Sequence, residues 1–104
     1  MDDDKTEALL NTILALKDIK EAKAFFRDLL TPSELDEFGS RWLAAQMLNA
    51  DISYNQIQKA TGLSTTTIAR ISKWLKKGKG GYKLMLKRSG SYHHGSLPVG
   101  KGLG

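Results

Sequence analysis

The sequence lacks cysteine altogether, and its second half lacks acidic residues. Without cysteine there is neither a disulfide framework nor a thiolate metal site. No apolar run approaches the roughly 18 residues that a membrane-spanning helix needs. The acidic start, Asp2 to Asp4, lacks the basic region of a signal peptide. At 104 residues the chain has room for one domain, and these absences together predict a cytoplasmic protein.

Charge is divided unevenly along the chain. Residues 1–51 hold all eleven acids and six Lys and Arg, a net charge of −5, whereas residues 52–104 hold ten Lys and Arg and a net charge of +10. Such a one-sided positive potential attracts phosphate backbones. An acidic protein surface would be attracted nearly as well. The charge split therefore favours double-stranded DNA as the partner and leaves a protein partner as the alternative.

Residues 53–77 predict two short helices joined by a turn. Ser53 followed by Gln56 is a capping box at a helix start. Gly62 supplies the positive φ with which a helix commonly ends, and Ser64 can cap a second helix. The apolar positions of the second helix recur at spacings of three and four: Ile68, Ile71 and Leu75. The arrangement predicts a helix-turn-helix.

Each motif helix is expected to have a buried and an exposed face. In the first helix, Ile57 and Ala60 are expected to face inward. Lys76 and Lys77, at the end of the second helix, are expected to contact phosphates without regard to sequence. The outward face of the second helix carries small, hydroxylated and cationic side chains: Thr65, Thr66, Ala69, Arg70 and Lys73. This combination suits entry into a DNA major groove.

The rest of the chain is also predicted to be helical. Residues 5–17 carry a helical apolar stripe, and Asp18 with Glu21 forms a capping box that opens a second helix. Thr31-Pro32-Ser33-Glu34 starts a third helix that extends to about Asn49. Residues 82–88 form a short last helix after a glycine-rich hinge. Six helices and no strand candidate predict an all-α domain over residues 1–88.

Two further expectations concern assembly and the C-terminal tail. Helices one to three are apolar over wider faces than a body of this size readily buries alone, which favours an intertwined dimer over helices that simply pack on each other. Residues 89–104 are rich in glycine and are expected to be disordered. His93 and His94 lie in this tail as weak metal ligands, so no functional metal site and no cofactor are predicted.

Several motifs occur together in an order that is typical of one family. They are Leu30-Thr31-Pro32-x-Glu34, Gly39-x-Arg41, Ser53, Gly62, Thr67-Ile68-x-Arg70 and Leu75. In this order they resemble the tryptophan repressor family, closely over residues 30–75 and in outline before that. Phe25 to Leu29 and Gly80-Gly81-Tyr82 resemble most the branch of unassigned ligand. The resemblance implies an all-helical, interlocked dimer that represses transcription at palindromic operators.

The resemblance also implies roles for particular residues. Tyr54, Asn55 and Gln58 align with positions where the first motif helix of the repressor meets DNA. The positions that align with its reading helix are Thr65, Thr66, Thr67, Ala69 and Lys73. Two arginines and two threonines surround the amino-acid ligand of the repressor, and these align with Thr31, Arg41, Thr67 and Arg70.

The floor of that ligand pocket departs from the family pattern. The repressor has a glycine and a serine where this chain has Ile71 and Trp74. Both replacements are large and apolar, so Ile71 and Trp74 are expected to fill the slot, with Trp74 as a core residue. Arg41 and Arg70 would then serve salt bridges or phosphates. We therefore predict that DNA binding is independent of L-tryptophan.

These observations favour a small dimeric transcriptional regulator, a repressor in the family's manner. The alternative is an interaction or assembly protein whose helix-turn-helix packs against a protein partner. An enzyme is disfavoured, because there is no cysteine, both histidines lie in the tail, and no positioned base and nucleophile are visible.

Overall fold

The computed structural model describes residues 3–89, and these residues form six α-helices without a strand. The helices are α1 (Asp4–Leu14), α2 (Ile19–Leu29), α3 (Pro32–Asn49), α4 (Tyr54–Thr61), α5 (Thr65–Lys77) and α6 (Gly81–Ser89). The predicted all-α, six-helix architecture is confirmed. The first helix is shorter than the stripe over residues 5–17 indicates, because the chain turns at Ala15. The expected disordered tail and its histidines lie outside the described residues.

Side-chain caps explain where the first three helices begin. The Asp3 carboxylate accepts a hydrogen bond from the Thr6 N–H at 2.7 Å, and this bond lowers the pKa of Asp3. Asp18 accepts from the Glu21 N–H at 2.9 Å. Thr31 and Glu34 form a complete capping box: the Thr31 hydroxyl accepts from the Glu34 N–H at 3.1 Å, and the Glu34 carboxylate accepts from the Thr31 N–H at 2.9 Å.

The chain divides into two compact units, with the boundary inside α3 between Asp36 and Glu37. In the first unit neither α1 nor α2 buries a residue. The apolar side chains of Leu14 and Ile19 are 81% and 73% exposed. Helices α1 and α2 by themselves therefore leave apolar side chains uncovered. A single domain over residues 1–88 stays a prediction.

The second unit contains the hydrophobic core. Helix α4 packs against α5, and α5 packs against α6. The prediction that Ala60 faces inward is wrong: Ala60 is exposed, and Thr61 turns towards the interior after Ile57. The buried core residues come from α3, α4 and α5: Ala44, Ala45, Met47, Ile57, Ile68 and Ile71.

Within residues 3–89, no helix combines the length and the apolar content that crossing a bilayer requires. Asp51 has a φ of +61° between α3 and α4, a left-handed conformation that aspartate adopts more readily than most residues. This bend lets the chain leave the long α3 and enter the motif.

Candidate nucleic-acid interface

The two motif helices are held at their ends by the predicted caps. The Ser53 hydroxyl accepts a hydrogen bond from the Gln56 N–H at 3.2 Å, and the Gln56 side chain accepts in turn from that hydroxyl at 3.4 Å. Gly62 ends α4 with a φ of +76°, and its N–H donates to the Gln58 carbonyl at 2.8 Å. The Ser64 hydroxyl accepts from the Thr67 N–H at 3.1 Å and starts α5.

Thr61 strengthens the turn in a way that sequence reasoning missed. Its hydroxyl donates to the Ile57 carbonyl at 2.8 Å and accepts from the Leu63 N–H at 3.1 Å. Leu63 is partly buried against the core, so the turn is fixed from both sides. The sequence contained this signal, because a threonine just before the glycine that ends a helix can form hydrogen bonds to nearby backbone groups. The consequence is a fixed approach of α5 to α4.

Helix α5 has two distinct faces. Ile68 and Ile71 are fully buried, and Ser72 beside them is also buried. Because residues three and four apart share a helix face, burial of this stripe forces the opposite stripe outward. Seven of the eight residues of α5 that are predicted to contact DNA are exposed: Thr65, Thr66, Ala69, Arg70, Lys73, Lys76 and Lys77.

The other predicted DNA contacts divide into two kinds. Tyr54, Asn55 and Gln58 are exposed on α4, so they are available to a partner. Thr67 is half-buried, and its hydroxyl accepts a hydrogen bond from the Ser64 hydroxyl at 3.1 Å.

No acidic residue occurs after Asp51, so α4 to α6 contain no carboxylate that could pair with their exposed cations. Among charged side chains, helices α4 to α6 therefore carry only positive ones.

The four residues aligned with the family's amino-acid ligand have separate local roles. Thr31 caps α3 in the first unit, and the other three lie in the second. Arg41 pairs with Glu37 on the same helix, with Nη2 and Oε2 2.6 Å apart. The Arg41 Nε is buried and has no hydrogen-bond partner within residues 3–89. Arg70 is exposed, so it is free of the core.

Ile71 and Trp74, expected to fill the pocket, differ in burial. Ile71 is fully buried as expected, but Trp74 is 43% exposed. The expectation that Trp74 is a core residue is therefore wrong for the described chain. Trp74 lies beside the core stripe of Ile68, Ile71 and Leu75, on the part of α5 that borders the glycine-rich link and α6. Its indole consequently lines an open groove of about 1040 Å³.

This groove, here called the aromatic groove, is formed by α3, the C-terminal part of α5, the link of residues 78–80 and α6. Its side chains are Trp42, Lys73, Trp74, Lys77, Lys79, Tyr82 and Met85. Trp42 and Tyr82 stack with ring centroids 6.4 Å apart and an interplanar angle of 16°. Burial raises the pKa of Tyr82, while the positive charge of Arg41 opposes that shift. Sequence reasoning placed Trp42, Trp74 and Tyr82 on helices without bringing them together.

A capped helix-turn-helix on an all-helical scaffold, with an exposed basic face, defines the class of small helix-turn-helix proteins. Comparison with known proteins narrows the class. The sequence profile described as Trp repressor protein matches residues 4–90. The chain belongs to the Trp repressor family, a family of regulators.

Individual relatives agree with this assignment. YerC of Bacillus subtilis (strain 168), an uncharacterised protein, is 39% identical over 82 residues, which cover 79% of each chain. The crystal structure of a TrpR-like protein from Eubacterium eligens ATCC 27750 is 37% identical, with a TM-score of 0.80 over 84% of this chain and 90% of that one. A solved Staphylococcus aureus structure is 32% identical, with a TM-score of 0.76 over 81% and 84% of the two chains.

Proposed function

We propose that this protein is a sequence-specific DNA-binding repressor of transcription that acts as a homodimer in the cytoplasm and does not require L-tryptophan. The observation that carries the proposal is the two-faced α5. Its inner face is fixed by the fully buried Ile68 and Ile71, and its outer face exposes Arg70 and Lys73 on a helix that contains no acidic residue. A helix held in this way can enter a major groove without leaving the fold.

The outer face has the chemistry that base reading requires. Arg70 and Lys73 offer donors that match the acceptors on guanine, and Thr65, Thr66 and Ala69 are small enough to let the helix approach the bases. Lys76 and Lys77 continue the positive surface towards the phosphate backbone. On α4, exposed Tyr54, Asn55 and Gln58 can contact the backbone beside the groove. These roles extend the family assignment to this chain's own residues.

The dimer is supported by the uncovered apolar surface of the first unit. Leu14 and Ile19 are mostly exposed, and Leu10 and Leu29 are about half exposed. A soluble protein rarely leaves such a surface uncovered unless it binds something. A second copy would cover it and would also present two α5 helices to a two-fold DNA site.

The test is selection of bound duplexes from a random pool, followed by affinity measurements at several salt concentrations. We expect an enriched palindrome, and a slope of log K against log[salt] near −5 if about six phosphates are neutralised. Arg70→Ala should cost about 1–3 kcal/mol on the selected site and less on random duplex. Lys76→Ala is the matched control and should weaken both duplexes alike.

The same measurements separate the alternative. A protein-interaction module would enrich no duplex, and its retention on DNA would be equal for the selected pool and random sequence. An affinity for duplex that does not depend on salt would also contradict the proposal.

Independence from L-tryptophan rests on Ile71. A ring-binding slot needs empty space, and the Ile71 side chain stands where the family's glycine leaves room. Titration of L-tryptophan is expected to change neither DNA affinity nor thermal stability. A saturable rise in either would overturn this part of the proposal. The double change Ile71→Gly with Trp74→Ser restores the family's residues and is the variant in which a response could appear, at a cost in core stability.

A further inference from the structure

Helix α6 carries three cations that lie outside the predicted DNA-facing set. Lys83, Lys87 and Arg88 are all exposed, and the helix contains no acidic residue. The opposite side of α6 fixes its orientation, because Leu86 is buried there and Tyr82 packs against the core. The three cations therefore lie on the exposed side of the helix, where they are available to a partner.

A hydrogen bond places α6 beside the end of α5. The Lys83 ammonium donates to the Lys76 carbonyl at 3.5 Å. This carbonyl is one of the last four of α5, which lack partners within their own helix. A cation at this position also interacts favourably with the C-terminal end of the helix dipole. Lys76 and Lys77 belong to the proposed DNA-facing set, so the basic face of α5 continues onto α6.

The cations of α6 repel one another in the folded chain. Lys83 and Lys87 are four residues apart, which makes them neighbours on one side of the helix, and like charges at this spacing oppose helix formation. Arg88 adds a further positive charge, and no acidic residue follows Asp51 in the sequence. A bound polyanion would offset this repulsion, whereas a neutral or cationic partner would not.

The length of α5 determines what α6 can contact on a duplex. Helix α5 has 13 residues and therefore spans about 20 Å. The major groove is only about 12 Å wide and about 8.5 Å deep. A helix whose first turn lies against the bases consequently carries its last turn out of the groove, and α6 begins after the link of residues 78–80. At that distance from the bases, cations meet phosphates, which carry no direct sequence information.

We propose that α6 makes a second contact with duplex DNA, in which Lys87 and Arg88 bind backbone phosphates beside the base pairs that α5 contacts. This proposal rests on the DNA-binding function proposed above and extends it from the two motif helices to α6. Lys83 is a positioning residue, because its ammonium is bonded to the end of α5. The contact adds affinity for any duplex and leaves the choice of sequence to α5.

The dependence of DNA affinity on salt measures how many phosphates the protein neutralises. Lys87→Gln with Arg88→Gln should weaken binding about tenfold at low salt, on the selected duplex and on random duplex alike. If each protomer of a dimer loses one contact, the slope of log K against log[salt] should become shallower by about 2. Lys23→Gln with Arg27→Gln is the matched control, because it removes the same two charges from exposed positions on α2. It should leave the slope unchanged.

Replacement of single phosphates locates the contact on the DNA. Each phosphate of the selected duplex is replaced in turn by an uncharged methylphosphonate. At the phosphates that α6 contacts, the replacement should weaken binding of the unchanged protein about threefold and should not weaken binding of the Lys87→Gln, Arg88→Gln protein further. At the phosphates that α5 contacts, both proteins should lose affinity by the same factor.

Thermal unfolding distinguishes a DNA contact from a purely structural role, because cations in a last helical turn also interact favourably with the helix dipole. A lower melting temperature of the Lys87→Gln, Arg88→Gln protein with an unchanged salt slope would overturn the proposal. Equal losses of the two proteins at every methylphosphonate would do the same. Equal DNA binding by both proteins, with vesicles of phosphatidylglycerol retaining only the unchanged one, would assign α6 to an anionic membrane surface instead.

The Arg70→Ala measurement keeps this inference apart from the proposed function. Suppose that Arg70→Ala loses the preference for the selected site while the Lys87→Gln, Arg88→Gln protein binds like the unchanged one. Only the α6 contact is then removed. If the unchanged protein enriches no duplex at all, the proposed function fails and the α6 contact fails with it.

Discussion

A single hydroxyl, that of Ser64, connects the turn to the first amide groups of α5. It accepts from the Thr67 N–H at 3.1 Å. Ser64→Ala leaves this donor without its partner and is expected to lower the free energy of unfolding by about 1 kcal/mol. Ser64→Asn retains a good capping acceptor and should stay within a few tenths of a kcal/mol. Urea unfolding at one fixed protein concentration measures both, and equal losses would contradict the capping role.

The raised pKa of Tyr82 predicts that the folded protein loses stability at alkaline pH. Burial raises its pKa above the ordinary value of 10.0, with Arg41 opposing the shift. A group whose pKa is raised on folding contributes stability below its unfolded pKa and loses that contribution as pH rises through the folded pKa. The protein should therefore lose stability above about pH 10, and Tyr82→Phe should lose less over the same range. The urea unfolding midpoints of both proteins, measured below and above pH 10, test this prediction. An equal fall of the midpoint with pH in the two proteins would refute it.

Of the two glycines on either side of the link between α5 and α6, Gly78 tolerates a side chain less well than Gly81 does. A Cβ at Gly78 would collide with the carbonyl oxygen of Trp74, whereas a Cβ at Gly81 would meet nothing within 4 Å. Gly78→Ala is therefore expected to cost about 1–3 kcal/mol. Gly81→Ala should be neutral or stabilising by up to about 1 kcal/mol. Thermal unfolding of the two variants compares them, and a harmless Gly78→Ala would contradict this geometry.

Helix α5 has three structural roles. Its buried stripe holds it to the core, its outer stripe carries the proposed base contacts, and its C-terminal part forms one wall of the aromatic groove. One helix therefore contributes to the core, to the proposed DNA-binding face and to the groove.

The whole molecule combines an acidic segment with an uncovered apolar surface and a basic segment with a buried core. If a second copy covers the first unit, sedimentation equilibrium at micromolar concentration should give about twice the 11.5 kDa chain mass. Leu14 is the sharpest probe because it is 81% exposed in one chain. Leu14→Glu should cost nothing in a monomer but should dissociate a dimer that buries this position.

Asn11→Glu is the matched control, since it adds the same charge on the same helix at an exposed polar position. It should leave the dimer mass unchanged. A clean monomer that still binds a palindrome tightly would contradict the dimer model.

Local signals determined most of the helix architecture. Asp18, Thr31, Ser53 and Ser64 lie at helix starts because each side chain satisfies amides only three residues away, and Gly62 ends α4 because it tolerates a positive φ. Such interactions need no distant partner, so sequence spacing alone indicates them. The exposed face of α5 followed in the same way, from the spacing of its apolar residues.

Only the tertiary structure determined which elements pack against the ends and faces of the helices. The pattern put Ala60 inside and made Trp74 a core residue, but Thr61 takes the inner position after Ile57, and Trp74 lines an open groove. Burial at these positions depends on how α3, α5 and α6 approach one another, and periodicity within one helix carries no information about that approach. The stacking of Trp42 on Tyr82, 40 positions apart in sequence, has the same origin. Sequence thus determined which side of α5 faces outward, and packing determined that its far end borders a groove.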